Sequence, residues 1–439
     1  MKSRGLNNIN RQILALAVPS IVTNITTPLL GLVDTAVVGH MGSAAYIAAI
    51  AVGGVMFNML YWLFGFLRGG TSGLAAQAYG AGNEAELSLV LYRSLAVACG
   101  VGVLMVLFQV PLLWLLKWFV CPDPITDVLA EEYFSILIYG APAVLGTYAL
   151  SGWFLGRQNS KMLMVTSIVI NVSNIAVSLL LVYVAGWQIS GVATGTLVAQ
   201  WLGFVVGLWL LAIYKIGQPK WNEVFCSEKL RRFFRVNFHM MLRTVCLIAV
   251  TVWFTKQGAR QGAVILAVNT LLMQLFLLFS YMMDGFAFAG EAMAGKFVGA
   301  ADHRGLHLCV KGLFGWGLVM AMLFTLLYIL GGEAFLELLS GDADVIEASS
   351  AYYLWAVAVP FAGFAAFAWD GVFIGATLTR ELLLSMMAAM GVFFVLFFSL
   401  FESMHNHALW LAFVAYLFVR GAVQTWQYCR WKHGWNHNE

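Results

Sequence analysis

Twelve transmembrane helices in two six-helix lobes, an all-α polytopic membrane fold, are predicted by three features of this sequence. Hydrophobic residues make up 61% of the 439 and charged residues only 10%, where a soluble domain carries about 25% charged residues. The apolar residues gather in runs of about 20, the length that crosses a bilayer as a helix. A motif of glycine and aromatic residues also recurs at an offset of 219 residues, closing a span of the same rank in each half.

The runs place spans at 12–38, 44–79, 87–115, 130–157, 161–184 and 190–214 in the first half. The first follows the basic Arg11 and contains Pro19, Pro28 and Asp34. The fourth closes on the glycine motif, the fifth carries Asn171, Asn174 and Ser178, and the sixth carries Thr194 and Thr196. In the second half the spans are 234–256, 262–299, 307–331, 348–377, 381–401 and 406–428. The seventh holds Arg243, the eighth Asp284 and Glu291, the tenth Asp370 and the twelfth Arg420. The second and eighth runs exceed one straight crossing, so they tilt, break or extend beyond the lipid. Residues 1–214 then form one lobe, 215–233 a cytoplasmic linker containing Pro219, and 234–439 the other lobe.

Charge supports the count. With the N-terminus inside, eighteen Lys and Arg fall on cytoplasmic segments and three (Lys117, Lys256 and Arg260) on the other side. This positive-inside bias supports an even number of spans, with both termini in the cytoplasm. A net charge of +3 is too small to imply nucleic acid as a partner. Residues 1–11 are polar and basic, and the apolar run after them is longer than a signal h-region, so a cleaved leader is not expected. Six scattered cysteines lack CxxC or metal spacing and read as small core residues.

Gly152-Trp-Phe154-Leu-Gly156 recurs as Gly371-Val-Phe373-Ile-Gly375, and at the same offset Gly80-Ala81 matches Gly299-Ala300 and Lys161 matches Arg380. Six spans per repeat return the chain to its starting side. The halves therefore keep their orientation, related by a pseudo-twofold along the membrane normal as in parallel-repeat transporters. Duplicated channels exist as well, but the repeat favours a transporter.

Asp34 stands in an apolar stretch with no other charge, where an aspartate costs roughly 2.5–3.5 kcal/mol on insertion scales. Such a carboxylate handles protons or ions, or is neutralised by a hidden Lys or Arg. Pro19 and Pro28 remove helix hydrogen bonds ahead of it, so the first span should bend, either as a switch or as a static kink. Asn171, Asn174 and Ser178 share one helical face; they either hydrogen-bond Asp34 or join helices to one another. Asp284, Glu291 and Asp370, with Arg243 and Arg420, suggest a buried ionic network in the second lobe, as a relay or as structural pairing. The 19 Met and 32 Phe fit lipid-facing and core surface better than a cavity lining. His405 and His407 read as solvated loop residues rather than a metal site. No GxxxxGK[ST] motif drives transport, and no nucleophile motif such as GxSxG marks an enzyme.

These residues meet in one family. Pro19 to Gly42, with Pro-x-x-x-x-Asn and then Leu29-Leu-Gly-Leu-Val-Asp34-Thr-Ala-Val-Val-Gly39-His40, resembles the opening of multidrug and toxic compound extrusion (MATE) transporters of the DinF-like branch. Asp284-Gly-Phe-Ala-Phe-Ala-Gly-Glu291 and Asp370-Gly-Val-Phe-Ile-Gly-Ala-Thr377 resemble that branch too. The resemblance implies a V-shaped, twelve-helix fold. It implies export of organic, often cationic, amphipathic drug-like compounds against protons or sodium, from the cell inner membrane and without a cofactor. It also implies a first-lobe site around Asp34, completed by Asn174 and Thr196. The second acid of the branch falls on Ser178, and losing a carboxylate there favours H+ over Na+. Asp370 resembles the second-lobe acid of the sodium-coupled branch, but span 7 offers no glutamate to accompany it. A monomeric proton/drug antiporter is expected. A sodium-coupled exporter and a lipid-linked sugar flippase of the same superfamily are the alternatives.

Overall fold

The computed structural model describes residues 2–39, 44–120, 124–214, 216–217, 221–339 and 343–436; within these the side chains at 2–5, 27–36, 38–39, 44, 119–120, 333, 338–339, 343 and 434–436 lie outside the described residues. The described residues are helical without strands, as a chain in lipid must be when every backbone polar group needs an internal partner. In order the helices are α1 (Lys2–Gly39), α2 (Ala44–Phe64), α3 (Phe66–Gly80), α4 (Glu84–Leu107), α5 (Gln109–Val120), α6 (Pro124–Leu137), α7 (Ala141–Gly156), α8 (Ser160–Leu179) and α9 (Gln188–Leu211). There follow α10 (Trp221–Val224), α11 (Ser227–Arg260), α12 (Ala263–Gly299), α13 (His303–Leu339), α14 (Ala343–Ser350), α15 (Tyr353–Gly375), α16 (Thr379–Met404) and α17 (Asn406–Asn436).

Eleven segments of the described residues are long and apolar enough to cross a membrane, and α1 covers the remaining expected span. The two over-long runs are resolved differently. The second breaks at Gly65 into α2 and α3, whereas the eighth is one 37-residue helix, α12. At 1.5 Å per residue it is about 55 Å long, well beyond a hydrocarbon core of about 30 Å. The third and fourth runs are also split, at Phe108 and at a 3₁₀ turn over Ile138–Gly140. α1 runs through Pro19 and Pro28 as one continuous helical segment.

The chain forms two compact units, Val22–Asn237 and Phe238–Glu439 with Met1–Ile21. Residues 1–21, expected with the first lobe, therefore count with the second unit. In that unit Ile9, Asn10 and Ile13 of α1 pack on Gly312, and Ile21 packs on Gly285. In the first unit the linker is held by Tyr92, whose hydroxyl donates to the Gly217 carbonyl (2.8 Å), and by Arg93, whose Nε donates to that of Val224 (3.0 Å). Lys117 on α5, outside the spans, bridges Asp127 (2.9 Å) and Glu131 (2.7 Å). Burial works against its charge, but these two hydrogen bonds hold the ammonium above the usual lysine range. Large apolar side chains such as Val184, Leu330 and Leu354 are 78% exposed, the surface expected where the solvent is lipid. The core of the second unit is aromatic, with Phe254, Phe279, Phe393 and Trp410 fully enclosed. A polar clamp crosses that core: Asn269 and Asn406 exchange two amide bonds of 2.9 Å, and the Trp410 indole donates to Asn269 Oδ1 (2.8 Å).

The internal repeat survives at the level of backbone contacts. Gly152 and Gly156 of α7 lie against the carbonyls of Arg68 and Ser72 on α3, and a Cβ at either position would collide with them. At the 219-residue offset Gly371 and Gly375 of α15 lie against the carbonyls of Ala287 and Glu291 on α12. The helix ends repeat as well. After α3 the amide of Asn83 bonds Ala78 O (3.0 Å) with Gly82 at φ 66°, and after α12 the amide of Asp302 bonds Phe297 O (2.8 Å) with Ala301 at φ 52°. After α7 and α15 the same turn places Gln158 at φ 65° and Thr377 at φ 54°. Each is a Schellman-type end that satisfies the last carbonyls through one left-handed residue.

Small residues at these crossings are the expected device where helices in lipid must pack backbone to backbone. Gly371→Ala should therefore destabilise the protein by about 1–3 kcal/mol through overpacking. Gly391→Ala on α16, where an added Cβ meets nothing within 4 Å, should be neutral or slightly stabilising. Thermal melts of the two variants in detergent read the difference, and equal melting temperatures would remove the packing role assigned to Gly371.

Candidate functional site

The first unit gathers polar residues where α8 meets α9. Asn174 and Ser178 are fully buried, one turn apart on α8. The Asn174 amide Nδ2 donates to Thr196 Oγ1 (2.8 Å), and that hydroxyl donates in turn to the Val192 carbonyl (3.0 Å). Because the one hydroxyl proton of Thr196 is already committed, it can only accept from Asn174, and this fixes which way the amide faces. Asn174 Oδ1 is thereby turned away. It and Ser178 Oγ are buried without a hydrogen-bond partner among the described residues. The helices close on each other through Gly195, whose missing side chain leaves the space that Ser178 Oγ fills.

Two hydrogen bonds tie α8 to α1 on either side of this pair. Thr26 Oγ1 lies 3.3 Å from Ser167 Oγ, and the Tyr183 hydroxyl donates to the Val37 carbonyl (3.2 Å). Asp34 lies on the stretch of α1 between these bonds, and Asn174 and Ser178 lie on the matching stretch of α8. The side chain of Asp34 itself lies outside the described residues. Tyr183 belongs to a π-helical turn, Leu180–Val184, directly after Ser178; such single turns concentrate at functional sites. Sequence reasoning missed Tyr183 and Gly195, because neither a π turn nor a close helix crossing has a residue pattern of its own.

In the second unit Asp370 is buried between three helices. Arg243 of α11 and Arg420 of α17 both donate Nη2 to its Oδ2, and Gln424 of α17 donates Nε2 to Oδ1 (2.8 Å). The expected network thus includes Asp370 and both arginines. Asp284 and Glu291 take no part in these pairs: Glu291 is buried on α12 at the Gly375 contact, and Asp284 lies half-buried beside Tyr281. Arg68 belongs to the other unit, near Tyr148. His407, expected to be solvated, is half-buried and accepts from the Trp355 indole (3.1 Å), while His405 is exposed at φ 46°. Of the cysteines, Cys309 is buried but Cys226 and Cys429 are exposed, contrary to a uniform core role.

The MatE family profile matches residues 19–180 and 236–399, one copy in each half of the chain. The chain belongs to the MATE family. It is a multi-pass membrane transporter of the multidrug and toxic compound efflux kind, in a family of transporters rather than enzymes. DNA damage-inducible protein F of Escherichia coli is 34% identical over 98% of this chain and 94% of its own length. The probable multidrug resistance protein NorM of Acinetobacter baylyi is 27% identical over 58% of this chain and 57% of its own. The MATE transporter VcmN of Vibrio cholerae in its bent form shares the fold, with a TM-score of 0.88 over 99% of both chains at 16% identity.

The Ser178–Gly195 contact in this MATE chain is open to a direct test. Gly195→Ala should destabilise by about 1–3 kcal/mol, because its Cβ would meet Ser178 Oγ and also the Ser178 backbone N and Cα. Adding Ser178→Ala relieves only the Oγ collision and should recover about 0.5–1 kcal/mol of that loss as a coupling term. Additive melting shifts in the double-mutant cycle would show that the two positions do not compete for space.

Proposed function

We propose that this MATE transporter exports organic, amphipathic and often cationic compounds in exchange for protons, with Asp34 as the coupling carboxylate. The observation that carries the reading is a pair of buried oxygens without partners among the described residues, Asn174 Oδ1 and Ser178 Oγ, on the stretch of α8 bracketed with the Asp34 segment. A protonated carboxyl supplies the hydrogen-bond donor that Asn174 Oδ1 lacks, so the neutral acid is stabilised without any charge left in the apolar interior. A sodium ion in the same place would keep its charge, with one carboxylate and otherwise neutral oxygens to answer it. Ser178, standing where the resembled branch carries an acid, is therefore the residue to which we assign proton selectivity. The basic excess on one side supports cytoplasmic termini and insertion in the cell inner membrane.

Transport into proteoliposomes with separately imposed pH and sodium gradients tests this. Asp34→Asn, nearly isosteric with the protonated acid, should abolish proton-driven efflux while leaving folded yield intact; wild-type transport by this variant would end the proposal. Asn174→Ala should move the pH profile of transport by about half a unit to one unit, the value of one hydrogen bond to the carboxyl. A fall in protein yield alone, with the profile unmoved, would mean that Asn174 only joins helices.

Ser178→Asp should create sodium stimulation absent from the parent. The added carboxylate attracts a cation at 4 Å by roughly 4 kcal/mol at an effective dielectric of 20, offset in part by repulsion between the two acids. Strong sodium-driven transport by the unmodified protein at zero pH gradient would overturn the assignment at position 178.

A further inference from the structure

The cluster around Asp370 holds more positive charge than that one carboxylate can answer. Two guanidiniums, Arg243 and Arg420, converge on the single carboxylate of Asp370, and the fourth member, Gln424, is neutral. Arginine does not lose its proton in proteins, so the cluster keeps a net positive charge inside an apolar bundle. The charged groups acting on Asp370 are Arg243 and Arg420, and those acting on Arg420 are Asp370 and the Tyr416 hydroxyl; no second carboxylate is among them.

The guanidinium hydrogen bonding is incomplete as well. Both arginines bind end-on, through one Nη2 each, to the same oxygen. A guanidinium carries five donors in a fork suited to two-point contact with a carboxylate. Here Nε of Arg243 and Nε of Arg420 are buried with no partner among the described residues, and so is the one acceptor left in the cluster, Gln424 Oε1. Leaving such donors unmatched is costly, so the cluster has the composition of a site whose second carboxylate comes from outside the chain. Arg243 is the most exposed member, its side chain 15% exposed against 4% for Arg420 and 8% for Asp370.

We propose that the cluster of Arg243, Asp370, Arg420 and Gln424 is an anion-accepting site that takes the carboxylate of an amphipathic substrate. Zwitterions and amphipathic carboxylic acids are the compounds that such a site would hold. The inference rests on the reading of the chain as an exporter of organic amphiphiles, and it reverses the sign of charge expected around Asp370. Span 7 contributes a cation where a cation-binding site would need a second acid.

A matched pair of dyes tests it: a rhodamine as its ethyl ester, a monocation, and the same rhodamine as the free acid, a zwitterion. Equilibrium binding of both to the purified full-length transporter gives a preference ratio. The wild type should bind the acid at least as tightly as the ester. Arg243→Gln leaves Asp370 paired one-to-one with Arg420, and the preference for the acid should fall by about tenfold or more, the value of one charge-assisted hydrogen bond. Arg243→Lys, which keeps the charge, should retain most of the preference. Melting curves confirm that each variant is folded, and a loss of packing alone would weaken both dyes without changing their ratio.

A ratio that is the same in the wild type and Arg243→Gln overturns the proposal, as does binding of the ester without the acid. Displacement of the acid by chloride at fixed ionic strength would assign the cluster to a free inorganic anion and remove the substrate carboxylate. Binding of neither dye would defeat the export reading, and this inference with it.

Discussion

Helices in lipid gain little from hiding apolar surface from one another, so their association depends on how closely their backbones approach. In this chain that approach is set by glycines placed four residues apart. α7 rests on the carbonyls of α3, and α15 rests in the same register on the carbonyls of α12. The sites in both units depend on this constraint. Asp370 directly precedes Gly371, so the contact that seats α15 also fixes where its carboxylate stands. On α8 and α9 a related contact, Ser178 in the notch of Gly195, sets the spacing across which Asn174 reaches Thr196.

Both units leave buried polar atoms unmatched among the described residues. In the first, hydrogen bonds run from Asn174 through Thr196 to a helix carbonyl, and Asn174 Oδ1, Ser178 Oγ and Asn171 Nδ2 are left over. In the second, two arginines share one oxygen of Asp370, and their Nε atoms and Gln424 Oε1 are left over. A low-dielectric interior raises the cost of each unmatched atom, and a ligand that completes the set gains correspondingly.

Duplication also explains which features are shared and which are not. The turns after α3, α7, α12 and α15 close with the same pattern of backbone bonds, although the left-handed position is Gly82, Gln158, Ala301 and Thr377 in turn. Only the first of these is the residue that adopts such a conformation freely. The backbone pattern outlasts the residue best suited to it because the neighbouring helix packing holds the turn in place. Side chains are free of that constraint, and there the halves diverge: Ser72 in one corresponds to Glu291 in the other, and Arg68 to Ala287.

The sequence by itself determined the membrane fold, the number of spans and the duplication. These follow from the length of apolar runs, the side to which Lys and Arg fall and a motif repeated at fixed spacing, all of which are properties of the chain read locally. It also marked Asn171, Asn174 and Ser178 as one polar face of span 5 and Thr194 and Thr196 in span 6, and the family resemblance chose Asn174, Ser178 and Thr196 among them. The tertiary structure decided how those residues are used. Which way the Asn174 amide faces depends on Val192 and Thr196 of another helix. That Asp370 meets Arg243 and Arg420, while Asp284 and Glu291 stay apart from it, depends on helix rotation about axes that hydropathy does not report. The break at Gly65 and the unbroken length of α12 were equally open in the sequence, since two over-long apolar runs look alike until packing selects between bending one and extending the other.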